Sequence, residues 1–581
     1  MKSNRPKLFL NLYWHMHQPD YRDTVSNEYV LPWTYLHAIK DYSDMAFHLE
    51  TNPKARVTFN FVPILLEQLE DYSSQFKQNK MRDPLLSLLV HDNLADLTNE
   101  QCQLVVQSCF KSHHEKMLSP FPHYQRLLQI YQLVEKTATN DEFHYLSGQY
   151  KADLLVWYHL AWCGESLRRN NKIVQSLMAK GELFTIEDRQ QLFDVIGETI
   201  SGLIPRYKAL MQRKQIEIST TPYYHPILPL LLDFKSTLDA MPYAPLPKFA
   251  KYAGGQSRAR AHVVSAKKFH MNLFGEEPRG MWPAEGGVSE SALSLMAEHG
   301  VEWAATGQAV LVNSLFKSHL SVEDKDEYLY QPYRATNGEH DVLCFFRDDN
   351  LSDKIGFEYA KMHTPDAVKD FIQTLEHIHQ TDNLTGVGSK TKVVSVILDG
   401  ENAWEYYPYN GYYFLTELYE ALVNHPDIEM TTFSDIVDLY QSKQYKTKKI
   451  SAPALPQVAA GSWVYGTFST WIGSKDKNLA WDLLCTAKKT YDSVLSKSNL
   501  NADQLAACER QLAICEGSDW FWWFGDYNSS ESVSSFDQLY RRNLINLYTL
   551  LEQPIPEALY SSISAGGGNA ANAGTMRRGQ E

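Results

Sequence analysis

Two carboxylates stand where the sequence alone can set them beside chemistry. In VVSVILDGENAW the apolar run Val393–Leu398 ends at Asp399, and Gly400, Glu401 and Asn402 follow. Such a run is expected of a strand buried on both faces, so a carboxylate placed against it is partly desolvated. Desolvation raises a carboxyl pKa, and a raised pKa is what a general acid needs near neutral pH. The bland alternative is an Asp that caps a helix or opens a turn before glycine. In RGMWPAEGGVSESALSLMAEHG, Ser289 or Ser291 can cap a helix that runs to Glu298. Glu285 precedes that cap, in a loop bounded by Pro283 and Gly286–Gly287, which holds the side chain and leaves room for a substrate. Its bland alternative is a solvated Glu that interacts with the helix dipole.

Other polar residues repeat the same placement. Leu8–Trp14 runs into His15, His17, Gln18 and Pro19; Ile216–Ile218 runs into TTPYYHP with His225; the strand at Met281 runs into Trp282 and Glu285; Val342–Phe346 runs into Arg347, Asp348 and Asp349. Each cluster lies at the carboxyl end of a predicted strand, the end that carries the active site in parallel α/β sheets and barrels. His15 and His17, two apart on a strand, point to one face. They could form part of a zinc site with His225 or Asp20 as third ligand, or bind sugar hydroxyls. Sugar binding is favoured and no metal or cofactor is expected, because no carboxylate-rich or Cys-rich cluster completes a metal site. The aromatic segments GSWVYGTFSTWIG, with Trp463, and SDWFWWFGDYNSS, with Asp519, Trp520 and Trp523, suit a sugar-stacking wall, a packing seam, or both.

The elements that must position these residues are strands separated by long helical stretches. The expected strands are Leu8–Trp14, Val57–Phe61, Gln215–Thr220, Gly280–Trp282, Glu302–Ala305, Val342–Phe346 and Val393–Leu398. This alternation predicts an α/β fold, an incomplete seven-stranded (β/α) barrel, with an open doubly wound sheet as alternative. Residues 1–450 are read as the barrel, interrupted at about 71–213 by a helical insertion with apolar residues at three- and four-residue spacing. Residues 451–462 read as a linker, 463–560 as a C-terminal helical domain that contributes to the cleft, and 561–581 as a disordered tail.

Composition limits the partners. The formal net charge is −14 over 581 residues, which argues against nucleic acid or an anionic membrane surface. No stretch approaches the ~18 apolar residues of a membrane span, and the N-terminal apolar run reads as a strand, not a signal peptide. The seven cysteines are scattered and form no C-x-x-C pair, which fits a reducing cytoplasm.

HMHQP, WPAEGG, LDGENAW and SDWFWWFG, in this order and spacing, resemble glycoside hydrolase family 57, over about Leu8 to Tyr560. The resemblance implies an incomplete seven-stranded barrel followed by helices, and a retaining enzyme that hydrolyses or transfers α-1,4-linked glucans such as starch, glycogen or maltooligosaccharides. It implies Glu285 as nucleophile, Asp399 as general acid/base, and substrate roles for His15, His17, Glu401, Trp404 and Asp519. It places the second family motif at QIEIST, which makes Glu217 a candidate. His225, Trp282, Arg347, Asp349, Trp463, Trp520 and Trp523 complete the expected substrate site. Two rivals stand beside this reading. One is a metal-dependent α-mannosidase-like enzyme, weakened because Pro19 stands where an Asp ligand would be needed. The other is a non-catalytic glucan-binding or regulatory protein on the same scaffold.

Overall fold

A computed structural model describes residues 7–135, 142–336, 338–381, 391–442, 450–497, 500–567 and 576. Its central sheet has nine strands among these residues: β1 (Leu8–Met16), β2 (Val57–Phe61), β3 (Ile216–Thr220), β4 (Gly280–Met281), β5 (Trp303–Thr306), β6 (Tyr333–Thr336), β7 (Asp341–Phe346), β8 (Val393–Asp399) and β9 (Ile428–Thr431). All except β6 and β9 coincide with the seven expected strands. These run parallel in chain order from β1 to β7, and β8 returns to pair with β1. The seam between β7 and β8 is a single bridge, Arg347 to Ser395. There Asp348 N donates to Ser395 O at 2.8 Å and Arg347 Nε to Ile397 O at 2.7 Å. The result is the incomplete (β/α) barrel. β6 pairs antiparallel with β7, and β9 adds to the amino end of β1; both are four residues long with a polar residue inside, too short to show a period.

Every residue of β1 is buried, as a strand covered on both faces requires. Inside the barrel Tyr13, Trp282, Trp303, Phe345 and Phe433 pack against one another. Between β2 and β3 the described residues are mostly helical, from Pro63–Gln78 to α1 (Ile186–Gln212). α1 starts at Thr185 in a reciprocal cap with Asp188 and buries Leu192, Ile196, Ile200, Leu203 and Leu210 along one face.

The segment 451–462 lies along the barrel. Arg334 N donates to Pro453 O and Leu455 N to Arg334 O, both at 2.9 Å, and Gly461 pairs with Val288. Its Ala, Val and Leu side chains make it a packing strip: Leu455, Val458, Ala459 and Ala460 are buried. Beyond it stand α2 (Lys475–Lys497), α3 (Ala502–Cys515), α4 (Asp519–Trp523) and α5 (Ser530–Leu550). Trp481 of α2 stacks on Phe521 of α4 at 4.4 Å, and Tyr540 of α5 donates to Ala480 O at 3.0 Å. The start of the tail is ordered by the same helices. Ile563 and Ser564 are buried, and their amides donate to Asp537. Most of the remaining expected disordered stretch, 568–575 and 577–581, lies outside the described residues. Among the described residues no helix is long and apolar enough to cross a membrane.

Candidate active site

The site grows from the pairing of β1 with β8. In register, His15 sits beside Asp399, and in-register neighbours on parallel strands share a face. Gly400 N then donates to His15 O at 2.7 Å. A Cβ at Gly400 would stand 2.4 Å from Met16 Sδ, so a larger residue there would have to move the Met16 side chain. The turn is braced by Trp404, whose indole donates to Gly400 O at 2.8 Å. Asn402 Nδ2 donates to Asp399 Oδ2 at 2.9 Å. Burial pushes Asp399 up to about 6, although Asn402, His17 and Arg347 pull it down.

Glu285 follows β4. Its backbone is left-handed, φ 58° and ψ 25°, a conformation that is strained for a residue with a Cβ and is held only when its surroundings impose it. Those surroundings are identifiable. Trp463 N donates to Glu285 O at 3.1 Å, while Ser518 Oγ and Trp463 Nε1 donate to its two carboxyl oxygens at 3.0 and 3.3 Å. The strip 451–462 thus delivers Trp463 to this loop, and the turn before α4 delivers Ser518. Burial, with the Asp519 and Asp399 carboxylates, pushes Glu285 up to about 8 against the opposing effects of His17 and Ser518.

Three imidazoles line the floor. His15 Nδ1 meets Asn60 Oδ1 at 2.7 Å, His17 Nε2 meets Asp519 Oδ1 at 2.6 Å, and His225 Nδ1 meets Ser518 Oγ at 2.8 Å. Burial and the neighbouring His17 lower His15 to about 3 and take His225 well below the ordinary histidine value. Burial disfavours charge on His17 too, but the Asp519 carboxylate, with Glu285 and Asp399, raises its pKa. Of the three rings, His17 is therefore the one whose surroundings favour a proton. A group whose folded pKa is raised contributes its full stabilisation below its unfolded value, near 6.5, and loses it as pH rises through the folded value. Asp519→Asn is therefore expected to lower the melting temperature more at pH 6 than at pH 9, as thermal unfolding at the two pH values will test.

His15, His17, His225, Glu285, Arg347, Asp399, Glu401, Trp463, Asp519 and Trp523 all face one cavity. The other expected site residues do not line it. Trp282 is wholly buried behind it, against Tyr13, His15 and Trp463. Asp349 is turned into an ion pair with Arg347 at 2.8 Å. Trp404 braces the Asp399 turn from below. Trp520 donates to Ile514 O at 2.9 Å and stacks on Tyr540 inside the helical region. Glu217 lies near the amino end of β3, where Trp303 Nε1 (2.8 Å), Ser434 N (3.0 Å) and the Ser434 hydroxyl donate to it. A residue at that end of a parallel strand is on the opposite side of the barrel from the rim. Glu217→Gln is expected to leave turnover within about twofold and to destabilise the fold by about 1–2 kcal/mol, through imperfect replacement of these hydrogen bonds; calorimetry beside an activity assay tests both.

Several contributors were missed by sequence reasoning. Ser518 links Glu285 to His225, Asn60 anchors His15, and Trp522 and Phe536 line the wall. Ser518 stands directly before Asp519 in SDWFWWFG, and Asn60 is the one amide in VTFNF, so each had a positional signal; Phe536 lies in an ordinary amphipathic helix and had none.

The incomplete barrel with carboxylates and imidazoles on its rim places the protein among enzymes that act on glycosidic bonds. The profile of "Glycosyl hydrolase family 57" matches residues 11–453, and the chain belongs to that family. The fold is similar to that of a GH57-type branching enzyme from Pyrococcus horikoshii, at TM-score 0.56 and 14% identity over 97% of this chain and 98% of that one. It is similar to the alpha-amylase AmyC from Thermotoga maritima, at TM-score 0.55 and 15% identity over 94% and 93%. The branching enzyme TK1436 from Thermococcus kodakaraensis gives TM-score 0.56 and 13% identity over 97% and 98%. No curated protein sequence matches the chain.

Proposed function

We infer that the protein is a retaining enzyme that acts on α-1,4-linked glucans by double displacement, with Glu285 as nucleophile and Asp399 as acid/base. The observation that carries this reading is that the two carboxyls, from separate strand ends, face one cavity walled by Trp463 and Trp523. Retaining pairs stand ~5–5.5 Å apart. In the first step Glu285 attacks the anomeric carbon, the bond to the departing oxygen breaks, and Asp399 gives that oxygen its proton. In the second, Asp399 takes a proton from water or a sugar hydroxyl, whose oxygen attacks the same carbon and releases Glu285.

The titration order alone favours the opposite assignment, since Glu285 at about 8 holds its proton more tightly than Asp399 at about 6. Hydrogen bonding favours Glu285 as the nucleophile. Both Glu285 oxygens receive donors, which suits an anion held for attack, whereas Asp399 has a donor on Oδ2 from Asn402. Positive charge on His17 pulls the Glu285 pKa down, toward the anion that must attack.

The catalytic cavity shares Gln18, Tyr21, Glu401, Asn402, Trp523 and Phe536 with a second cavity. Glu401 and Asn402 follow Asp399 directly, so this space lies on the side of the proton donor, where the departing or accepting chain belongs. Its aromatic lining, with Trp33, Trp162 and Trp523, supports a sugar acceptor in competition with water. Branching enzymes and an alpha-amylase share the fold, so the fold does not separate transfer from hydrolysis. Incubation with maltoheptaose tests the reading. Products longer than seven units mean transfer, and only shorter ones mean hydrolysis. Binding without any product, at high protein concentration, would instead identify a glucan-binding protein.

A further inference from the structure

Glu516 breaks two local rules. It caps the carboxyl end of α3, where the helix dipole disfavours an anion, and it is 1% exposed, where an unpaired carboxylate is costly. One helix, Gly255–Phe274, offsets both penalties. Arg258 and His262, four apart, project from the same face of it. Arg258 Nε donates to Glu516 Oε1 and Nη2 to Oε2, each at 2.9 Å, and His262 Nε2 meets Oε2 at 2.7 Å. Tyr252, just before that helix, donates its hydroxyl to Oε1 at 2.6 Å. Burial opposes the charge, yet Arg258 and His262 bring the Glu516 carboxyl down to about 2. The carboxylate can only accept, so His262 Nε2 carries the proton between them.

The cluster touches both segments that hold Glu285 in place. Ser518 stands two residues after Glu516. Its hydroxyl donates to Glu285 Oε1 at 3.0 Å and meets His225 Nδ1 at 2.8 Å. On the other side, His262 O accepts from Tyr223 N at 3.2 Å and His262 Nδ1 from Tyr224 N at 3.5 Å, directly before His225. The two segments meet where Ser518 N donates to His225 O at 3.0 Å. Between them Gly517 passes so close that a Cβ there would stand 2.9 Å from Tyr224 O. We propose that Glu516, Arg258 and His262 are positioning residues, which fix where the Ser518 hydroxyl meets the Glu285 carboxylate. The proposal rests on the reading of Glu285 as nucleophile. A donor on a carboxylate oxygen favours the anion, so a Ser518 released from this clamp leaves Glu285 holding its proton more tightly. The titratable groups that face Glu285 are His17, His225, Asp399 and Asp519. Asp519 is held separately by His17 at 2.6 Å, so release is felt at Ser518.

The test is the pH profile of kcat/KM on maltoheptaose, with Ser518→Ala marking the limb that this hydroxyl controls. Glu516→Gln is expected to lower kcat/KM by about tenfold and to move that limb upward by about 0.5–1 pH unit, the scale of one lost hydrogen bond. Because Glu516→Gln leaves Arg258 without its anion and can unfold the protein, His262→Leu is measured beside it. Glu516 keeps Arg258 and Tyr252 in that variant, and circular dichroism checks its fold. His262→Leu is expected to move the same limb in the same direction. Adding Ser518→Ala to it is expected to move the limb no further than Ser518→Ala does alone, since the clamp acts through that hydroxyl. A purely structural cluster would lower the melting temperature and leave both limbs in place. That result in folded His262→Leu, or a shift that adds to that of Ser518→Ala, overturns the proposal and leaves the glucan reading intact. A parent protein that cleaves no glucan overturns the functional reading, and the proposal with it.

Discussion

Glu285→Gln is expected to lower turnover on maltooligosaccharides by about 10⁴–10⁶-fold, the scale on which loss of a covalent nucleophile is felt, and to leave the fold intact or firmer. The amide keeps the shape of the side chain and can still accept from Ser518 or Trp463, so the loss reports chemistry, not collapse. The stability effect follows from linkage. Burial raises Glu285 from its unfolded value near 4.5 to about 8. The folded state therefore binds more protons than the unfolded one between those values, and stability falls as pH rises through that window. A neutral amide escapes this penalty. The variant is expected to be more stable than the parent by on the order of 1–3 kcal/mol at pH 8, with the gain vanishing below about pH 4.5. Thermal unfolding across pH 4–9, beside the turnover assay, checks both halves. Parental turnover in a folded Glu285→Gln protein would remove Glu285 from the mechanism.

Asp399→Asn is expected to lose about 10²–10⁴-fold on natural glucans, the usual contribution of a positioned acid/base, with a loss that depends on the leaving group. A glycosyl fluoride departs without protonation, so its first step is expected to proceed in the variant while maltoheptaose cleavage does not. A small anion such as azide, which attacks without a general base, is then expected to restore release of the glycosyl-enzyme. Equal losses on the fluoride and on maltoheptaose would mean that Asp399 is not the proton donor.

The strand ends were the part of the architecture that local chemistry exposes. A strand buried on both faces must be apolar throughout, so the point at which VVSVILD or LFLNLYWHMH turns polar marks the rim, and most of the expected site residues fall there. Glu217 misled because its motif lies in a strand whose polar residue serves the opposite end. The large aromatic residues divided for a related reason. Trp523 faces the cavity while Trp520 and Trp404 are packed beneath it, and residue type cannot tell which side of a short helix or turn meets solvent. The strip 451–462 has the Pro and Ala content of a connection, but the barrel offers it an apolar ledge and backbone pairings at Arg334 and Val288. What no local pattern contains is the partnership across hundreds of residues. Ser518 and Trp463 reach Glu285 from 233 and 178 positions away, and only the folded chain brings them there.

The division of labour between the two carboxyls is open to direct observation. A fluorinated glucosyl fluoride whose glycosyl-enzyme accumulates, followed by peptic digestion and mass spectrometry, identifies the residue that becomes esterified. The expected result is one sugar on the peptide that contains Glu285, with none formed in Glu285→Gln. A sugar attached to Asp399, or an inverted anomeric product with no covalent species, would contradict it.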